Sequence, residues 1–217
     1  MHVMIINGSP RVKKYSNTDK ILAKFTAGLT SKSNTFEQYE VSDRKQWDSI
    51  REAWDKNDNI LIALPLYVEN IPGLLLEFLA TVTPKDGTAK IAYILQGGFA
   101  EGVQLRCGEE YLKMLSQRLG CEYKGTLIKG DNFSIRFFEG DMQDRVTGPY
   151  QKMGEIYGET GDFFSEECAK FTGPEVFPLH MRFMLGIIFR TVGRIMFRKI
   201  AKGWGCEQPL DVRPYGA

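Results

Sequence analysis

Three loops carry the residues best placed for chemistry. The first is Asn7-Gly8-Ser9-Pro10-Arg11, which runs through Val12-Lys13-Lys14-Tyr15 into Ser16-Asn17-Thr18. Hydroxyls at Ser9, Ser16 and Thr18, the amide of Asn17 and the guanidinium of Arg11 meet at what reads as the head of a helix. Unpaired amides and the positive end of a helix dipole suit a phosphate. No GK[ST] closes the loop and no GxGxxG occurs in it, so the loop spells neither a nucleoside-triphosphate site nor a dinucleotide diphosphate site. A hydroxyl-rich cradle fits one terminal phosphate, as on a mononucleotide. The plain alternative is a capped turn, since Ser, Asn and Thr are common caps.

The second loop is Pro65-Leu66-Tyr67-Val68-Glu69-Asn70-Ile71-Pro72-Gly73, stiffened at both ends by proline. Its backbone and one aromatic face can meet a planar ligand. The third, Gln96-Gly97-Gly98-Phe99-Ala100-Glu101-Gly102, has three glycines that let the main chain come close to a ligand. Either loop alone reads equally as an ordinary turn. Metal and triad chemistry find no support: His2 and His180 are the two histidines, and Cys107, Cys121, Cys168 and Cys206 form no CxxC pair. Reduced thiols in a cytoplasmic protein are the expectation.

These loops need strands to hold them. Short apolar runs at 3–6, 60–64, 91–95 and 126–128 suit buried strands of a parallel sheet, with 35–41 as an edge. Between them lie helical stripes: Ile21, Leu22, Phe25 and Leu29 after a Ser16 cap; Leu75, Leu76 and Leu79 with Pro72 at the first helical position; Tyr111, Leu112, Leu115 and Leu119; and Tyr150, Met153 and Tyr157. The alternation predicts an α/β fold, a doubly wound five-stranded parallel sheet. In such sheets ligands bind beyond the carboxyl ends of the strands.

Taken together, NGSPR–SNT, then P-L-Y-x₄-P-G, then GGF resembles the NADPH-dependent FMN reductase family of flavodoxin-like proteins, which includes quinone, azo and flavin reductases. The resemblance covers about residues 1–129. It implies strand order 2-1-3-4-5, FMN and NAD(P)H as cofactors, and a homodimer. By the same resemblance Ser9, Arg11, Ser16, Asn17 and Thr18 hold the FMN phosphate. Pro65, Leu66, Tyr67 and Asn70 lie along the isoalloxazine, and Gly97, Gly98 and Phe99 close its other edge. No catalytic side chain and no metal are implied, because the flavin carries the chemistry. The implied activity is an NAD(P)H oxidoreductase acting on a small quinone, flavin, azo or nitro acceptor; the alternative is a flavodoxin-type electron carrier. This first loop is longer and more basic than many in the family. Lys13 and Lys14 within it are candidates for the 2′-phosphate of NADPH.

The 217 residues are 43% hydrophobic and 25% charged, which excludes a disordered or collagen-like chain. A net charge of +1 argues against a nucleic-acid partner. It conceals an asymmetry: from His180 onward seven basic residues face two acids, a net +5, which leaves −4 for residues 1–179. Two parts are therefore expected, an FMN-binding domain at 1–179 and a basic amphipathic helical extension at 180–217. In the extension, 183–202 places Arg190, Arg194 and Arg198 in one stripe opposite Met184, Ile188, Val192 and Ile195. Such a helix packs on the body or a second subunit, or lies on a membrane surface. The stretch 155–178, rich in Gly, acid and Phe, reads as a linker. The N-terminus has no signal-peptide pattern.

Overall fold

The computed structural model describes residues 1–209, 211 and 212, so the end of the expected extension, Leu210 and residues 213–217, lies outside the described residues. The chain divides into two compact units at 175/176, four residues before the boundary expected from charge.

The first unit is a five-stranded sheet in the order β2-β1-β3-β4-β5, with all neighbours parallel. The strands are β1 (His2–Asn7), β2 (Thr35–Glu40), β3 (Asn59–Pro65), β4 (Lys90–Gln96) and β5 (Glu122–Lys129). This is the flavodoxin-like, doubly wound α/β fold. Its helices are α1 (Asn17–Ser31), α2 (Trp47–Lys56), α3 (Gly73–Leu79), α4 (Val103–Arg118), α5 (Gly140–Thr147), α6 (Pro149–Thr160) and α7 (Glu166–Thr172).

Strand residues alternate between two cores. Met4, Ile6, Ile62 and Tyr93 meet Trp54, Phe78 and Leu112 of α2, α3 and α4 on one face. Val3, Ile5, Leu61 and Ile94 meet Phe25, Met153 and Tyr157 of α1 and α6 on the other. Full burial of each such side chain contributes about 1.5–3 kcal/mol. β2 is only half covered, as an edge strand should be.

α1 and α6 touch main chain to main chain. A β-carbon on Gly28 would collide with the Gln151 carbonyl oxygen, and one on Gly154 with that of Phe25. No side chain fits at either position, and this contact holds α1 from behind.

Four local expectations change. The helix α2, with Ile50, Ala53 and Trp54 buried, is an element the loop-centred pattern omits. Pro72 caps α3 from outside rather than starting it. Tyr111 is exposed, and Ser116 takes the buried place in the α4 stripe, bonded to Tyr93 at 3.0 Å. The 155–178 stretch is not a linker: it holds the end of α6 and all of α7, Phe163 and Cys168 join the core, and Phe171 packs edge-on against Tyr150.

The second unit is helical: α8 (Leu179–Ile188), a π-turn at Phe189–Gly193 and α9 (Arg194–Gly203). Four residues fall just short of a full π-turn and just past a full α-turn, so Arg190 stays near the line of Arg194 and Arg198. Arg194 pairs with Asp211 at 3.2 Å. Among the described residues no helix is long and apolar enough to cross a membrane.

Candidate functional site

The carboxyl ends of β1, β3, β4 and β5 open into one cavity of about 260 Å³. The first loop supplies Ser9, Arg11 and Tyr15, and the head of α1 supplies Asn17 and Thr18. Pro65, Leu66 and Tyr67 come from the loop after β3, and Gln96, Gly97 and Gly98 from the end of β4. A short 3₁₀ turn after β5, Phe133–Phe137, adds Phe133 and Arg136.

Ser9 and Asn7 set the first turn. Asn7 Oδ1 accepts from the Ser9 amide at 3.1 Å, and Ser9 Oγ accepts from the Arg11 amide at 3.3 Å. Ser16 Oγ then caps α1 by accepting from Asp19 N at 3.2 Å. That bond uses the Asp19 amide. The amides of Asn17 and Thr18, first in the helix, have no carbonyl four residues back inside it.

Asn17 Nδ2 donates to the Asn132 carbonyl at 2.8 Å, joining the head of α1 to the loop after β5. Asn17 Oδ1 and Thr18 Oγ1 are buried and have no hydrogen-bond partner. Buried polar groups are almost always paired, and leaving one unpaired costs about 1–3 kcal/mol. Two such atoms at one helix head, on residues that line a cavity, are an unmet demand for a polar ligand. A threonine hydroxyl suits a phosphate oxygen, and an amide oxygen suits a ligand hydroxyl.

The loop after β3 is a two-residue hairpin in which the Tyr67 and Asn70 amides bond reciprocally to each other's carbonyls, each at 3.0 Å. Its central residues, Val68 (φ +49°) and Glu69 (φ +56°), are both left-handed, the geometry of a type I′ turn that usually takes Asn-Gly. A β-branched residue there is strained. The hairpin holds the Tyr67 ring at the cavity mouth, 42% exposed.

The loops after β4 and β5 are bonded to each other. Gly97 N donates to Lys129 O, Asn132 N to Gly97 O and Asp131 N to Phe99 O, all at 3.0 Å. The Gly97 amide is thereby committed to the protein. Gly98 faces the cavity, and a β-carbon there would stand 3.6 Å from Phe133 Cβ.

Charge near the cavity is mixed. Burial pushes the Asp19 carboxyl above its ordinary value, with Lys13 at 3.8 Å pulling the other way. Burial also raises Glu40, which sits opposite Asn7 in the β1–β2 register and feels the Asp19 charge. Arg11 and Arg136 lie at the cavity itself, and the Arg136 guanidinium stacks 5.5 Å from the Phe133 ring and 5.1 Å from the Phe137 ring.

Nine of the twelve residues named from sequence therefore line one cavity: Ser9, Arg11, Asn17, Thr18, Pro65, Leu66, Tyr67, Gly97 and Gly98. Three do not. Ser16 is fully buried and serves as the cap. Asn70 uses Oδ1 to accept from the Ile71 amide at 2.9 Å. Phe99 points outward, 74% exposed. Tyr15 and Gln96, which lie in the first and third loops but carry no role expected from sequence, also line the cavity, as do Phe133 and Arg136. Gln96 had a signal, as the last residue of a strand; Phe133 and Arg136 come from a stretch that resembles nothing recognisable.

No protein-family model matches the chain, and no curated protein matches it. Solved structures do. An azoreductase from Bacillus anthracis superposes with a TM-score of 0.54 at 12% identity, over 72% of this chain and 98% of the other. An NAD(P)H:quinone oxidoreductase from Methanothermobacter marburgensis gives 0.53 at 17%, over 75% and 99%. The general stress protein 14 of Treponema denticola, solved in complex with FMN, gives 0.53 at 12%, over 73% and 97%. At these identities the likeness is one of fold.

Proposed function

We propose that this protein is an FMN-dependent NAD(P)H oxidoreductase acting on a small electron acceptor such as a quinone, flavin, azo or nitro compound. The chemistry FMN supplies when bound is hydride transfer, taken from nicotinamide and given to the acceptor. The observation that carries the reading is the pair of unpartnered buried atoms, Asn17 Oδ1 and Thr18 Oγ1, on residues lining a cavity at the carboxyl ends of a flavodoxin-like sheet. The names of similar folds, an azoreductase, a quinone oxidoreductase and an FMN complex, support it.

In this reading the cradle of Ser9, Asn17 and Thr18 binds the phosphate and adjoining hydroxyls, and Arg11 adds charge. Pro65, Leu66 and Tyr67 form one wall against the ring, with Gly97 and Gly98 at its other edge. Ser16 acts by capping α1, and Asn70 by setting the hairpin that orients Tyr67. No side-chain acid or base is needed. The expected setting is the cytoplasm and the expected assembly a homodimer; the basic helix of the second unit is read first as a packing or dimerisation element, with weak contact with an anionic membrane surface as the alternative.

The test is direct. Protein incubated with FMN and passed over a desalting column should stay yellow, and should oxidise NAD(P)H rapidly once a quinone is added. A colourless eluate overturns the assignment. A yellow protein that turns over no NAD(P)H points instead to an electron carrier.

A further inference from the structure

The second unit carries both its apolar and its basic side chains on the outside. α8 is apolar almost all round: Phe183, Met184, Ile187 and Ile188 are exposed, Phe183 at 74%, and no residue of α8 or α9 is buried. A helix of that kind needs a cover. We infer that this unit docks on the surface of an anionic phospholipid bilayer, so that of the two readings of its basic helix the membrane contact is the one to take. The inference concerns the second unit alone and holds whether or not the first unit binds FMN.

From Val176 to Cys206 there is no Asp or Glu, and there are six cations: Arg182, Arg190, Arg194, Arg198, Lys199 and Lys202. Arg194 pairs with Asp211; among the described residues the other five have no carboxylate within ion-pair distance. Viewed down α9 at about 100° per residue, Arg194, Arg198, Lys199 and Lys202 hold one side and Met196, Phe197 and Ile200 the other. Ile195 is the one large apolar residue among the cations. A helix built this way lies in the plane of a membrane interface, its apolar side among the acyl chains and its cations at the lipid phosphates. Long basic side chains keep their stems among the chains while the charges reach outward. Trp204, 71% exposed just beyond α9, is of the residue type that settles at headgroup depth.

The contact is with one leaflet. α8 has ten residues and reaches about 15 Å, half of the roughly 30 Å of hydrocarbon that a span must cross. Five of the six cations follow it, which ends the apolar stretch. A second copy of the helix is the competing occupant. Two such helices face to face would set six cations against six with no acid from 176 to 206 to separate them, and like charges oppose pairing. A bilayer containing acidic lipid meets both needs at once, with chains for Phe183 and Ile187 and phosphates for the arginines.

The test is co-sedimentation of the full-length protein with vesicles of phosphatidylcholine alone, or of phosphatidylcholine with phosphatidylglycerol added. We expect at least about tenfold stronger partition into the acidic vesicles, falling as salt rises. Tryptophan emission should shift to the blue on binding, and the shift should be absent in Trp204→Phe. The Arg190→Gln/Arg198→Gln/Lys202→Gln variant should lose about tenfold or more in partition into acidic vesicles. Phe183→Ser/Ile187→Ser keeps every charge and should also lose about tenfold. Both variants alter exposed side chains, so the unfolding transition of the first unit should not move. Equal partition into the two kinds of vesicle, protein that stays in the supernatant at low salt, or partition unchanged in either variant overturns the inference. So does a full-length dimer that keeps off the vesicles and falls to monomers with Phe183→Ser/Ile187→Ser, since the occupant is then a second copy.

Discussion

Asn17 and Asn132 are 115 residues apart in sequence and 2.8 Å apart in space, the side-chain amide of the first donating to the carbonyl of the second. Asn132 in turn donates Nδ2 to Lys129 O and to the Tyr150 hydroxyl, each at 2.9 Å. One asparagine thus ties β5, α6 and the head of α1 together. Replacing it by alanine strands the buried Tyr150 hydroxyl. Asn132→Ala is expected to cost about 2–3 kcal/mol in urea unfolding, and Tyr150→Phe only about 1 kcal/mol because Asn132 keeps its Lys129 bond.

Thr18→Val separates folding from binding. The hydroxyl is buried without a partner, so its loss should leave stability unchanged or raise it. FMN affinity, read by fluorescence quenching, should weaken by about tenfold. A stable variant that binds FMN normally would remove Thr18 from the cradle.

Gly154→Ala should be among the most damaging single changes. The new methyl meets the Phe25 carbonyl, a main-chain group that cannot swing aside. A loss of about 3 kcal/mol or more is expected from thermal or urea unfolding.

The raised Glu40 carboxyl makes a prediction about pH. Its folded-state pKa lies above the unfolded value, so the stability it contributes is fully present below the unfolded pKa and is lost as pH rises through the folded one. Asp19 acts in the same direction. The melting temperature should therefore fall from about pH 5 to pH 7.5, and Glu40→Gln should flatten that slope and melt higher than the parent at pH 7.5.

Tyr67→Phe tests whether the hydroxyl or the ring matters. The ring sits at the cavity mouth, and the proposed chemistry asks no proton of it. The variant should retain its flavin and change kcat by less than about threefold, since a solvent-facing hydroxyl contributes under about 1 kcal/mol. An inactive variant with full flavin content would make Tyr67 a proton donor.

The sheet was legible because buried parallel strands are apolar on both faces, and runs such as Ile60 to Leu64 say so without ambiguity. The Ser16 cap was legible because capping is local. What stayed hidden depends on distant parts of the chain meeting. α2 carries a signal in the spacing of Ile50, Ala53 and Trp54, muted by its many charges. Phe163 and Phe171 look like linker aromatics until β5 and α6 are in place to bury them. Arg136 and Phe133 reach the cavity only because the loop after β5 is bonded to the loop after β4, a pairing no local pattern encodes.

The Gly28–Gly154 contact also bears on how the protein comes into being. During synthesis α1 and the turn before it leave the ribosome more than a hundred residues ahead of α6, the helix that braces α1 from behind. A growing chain halted before α6 would carry α1 and the turn before it without the close main-chain contact that holds them.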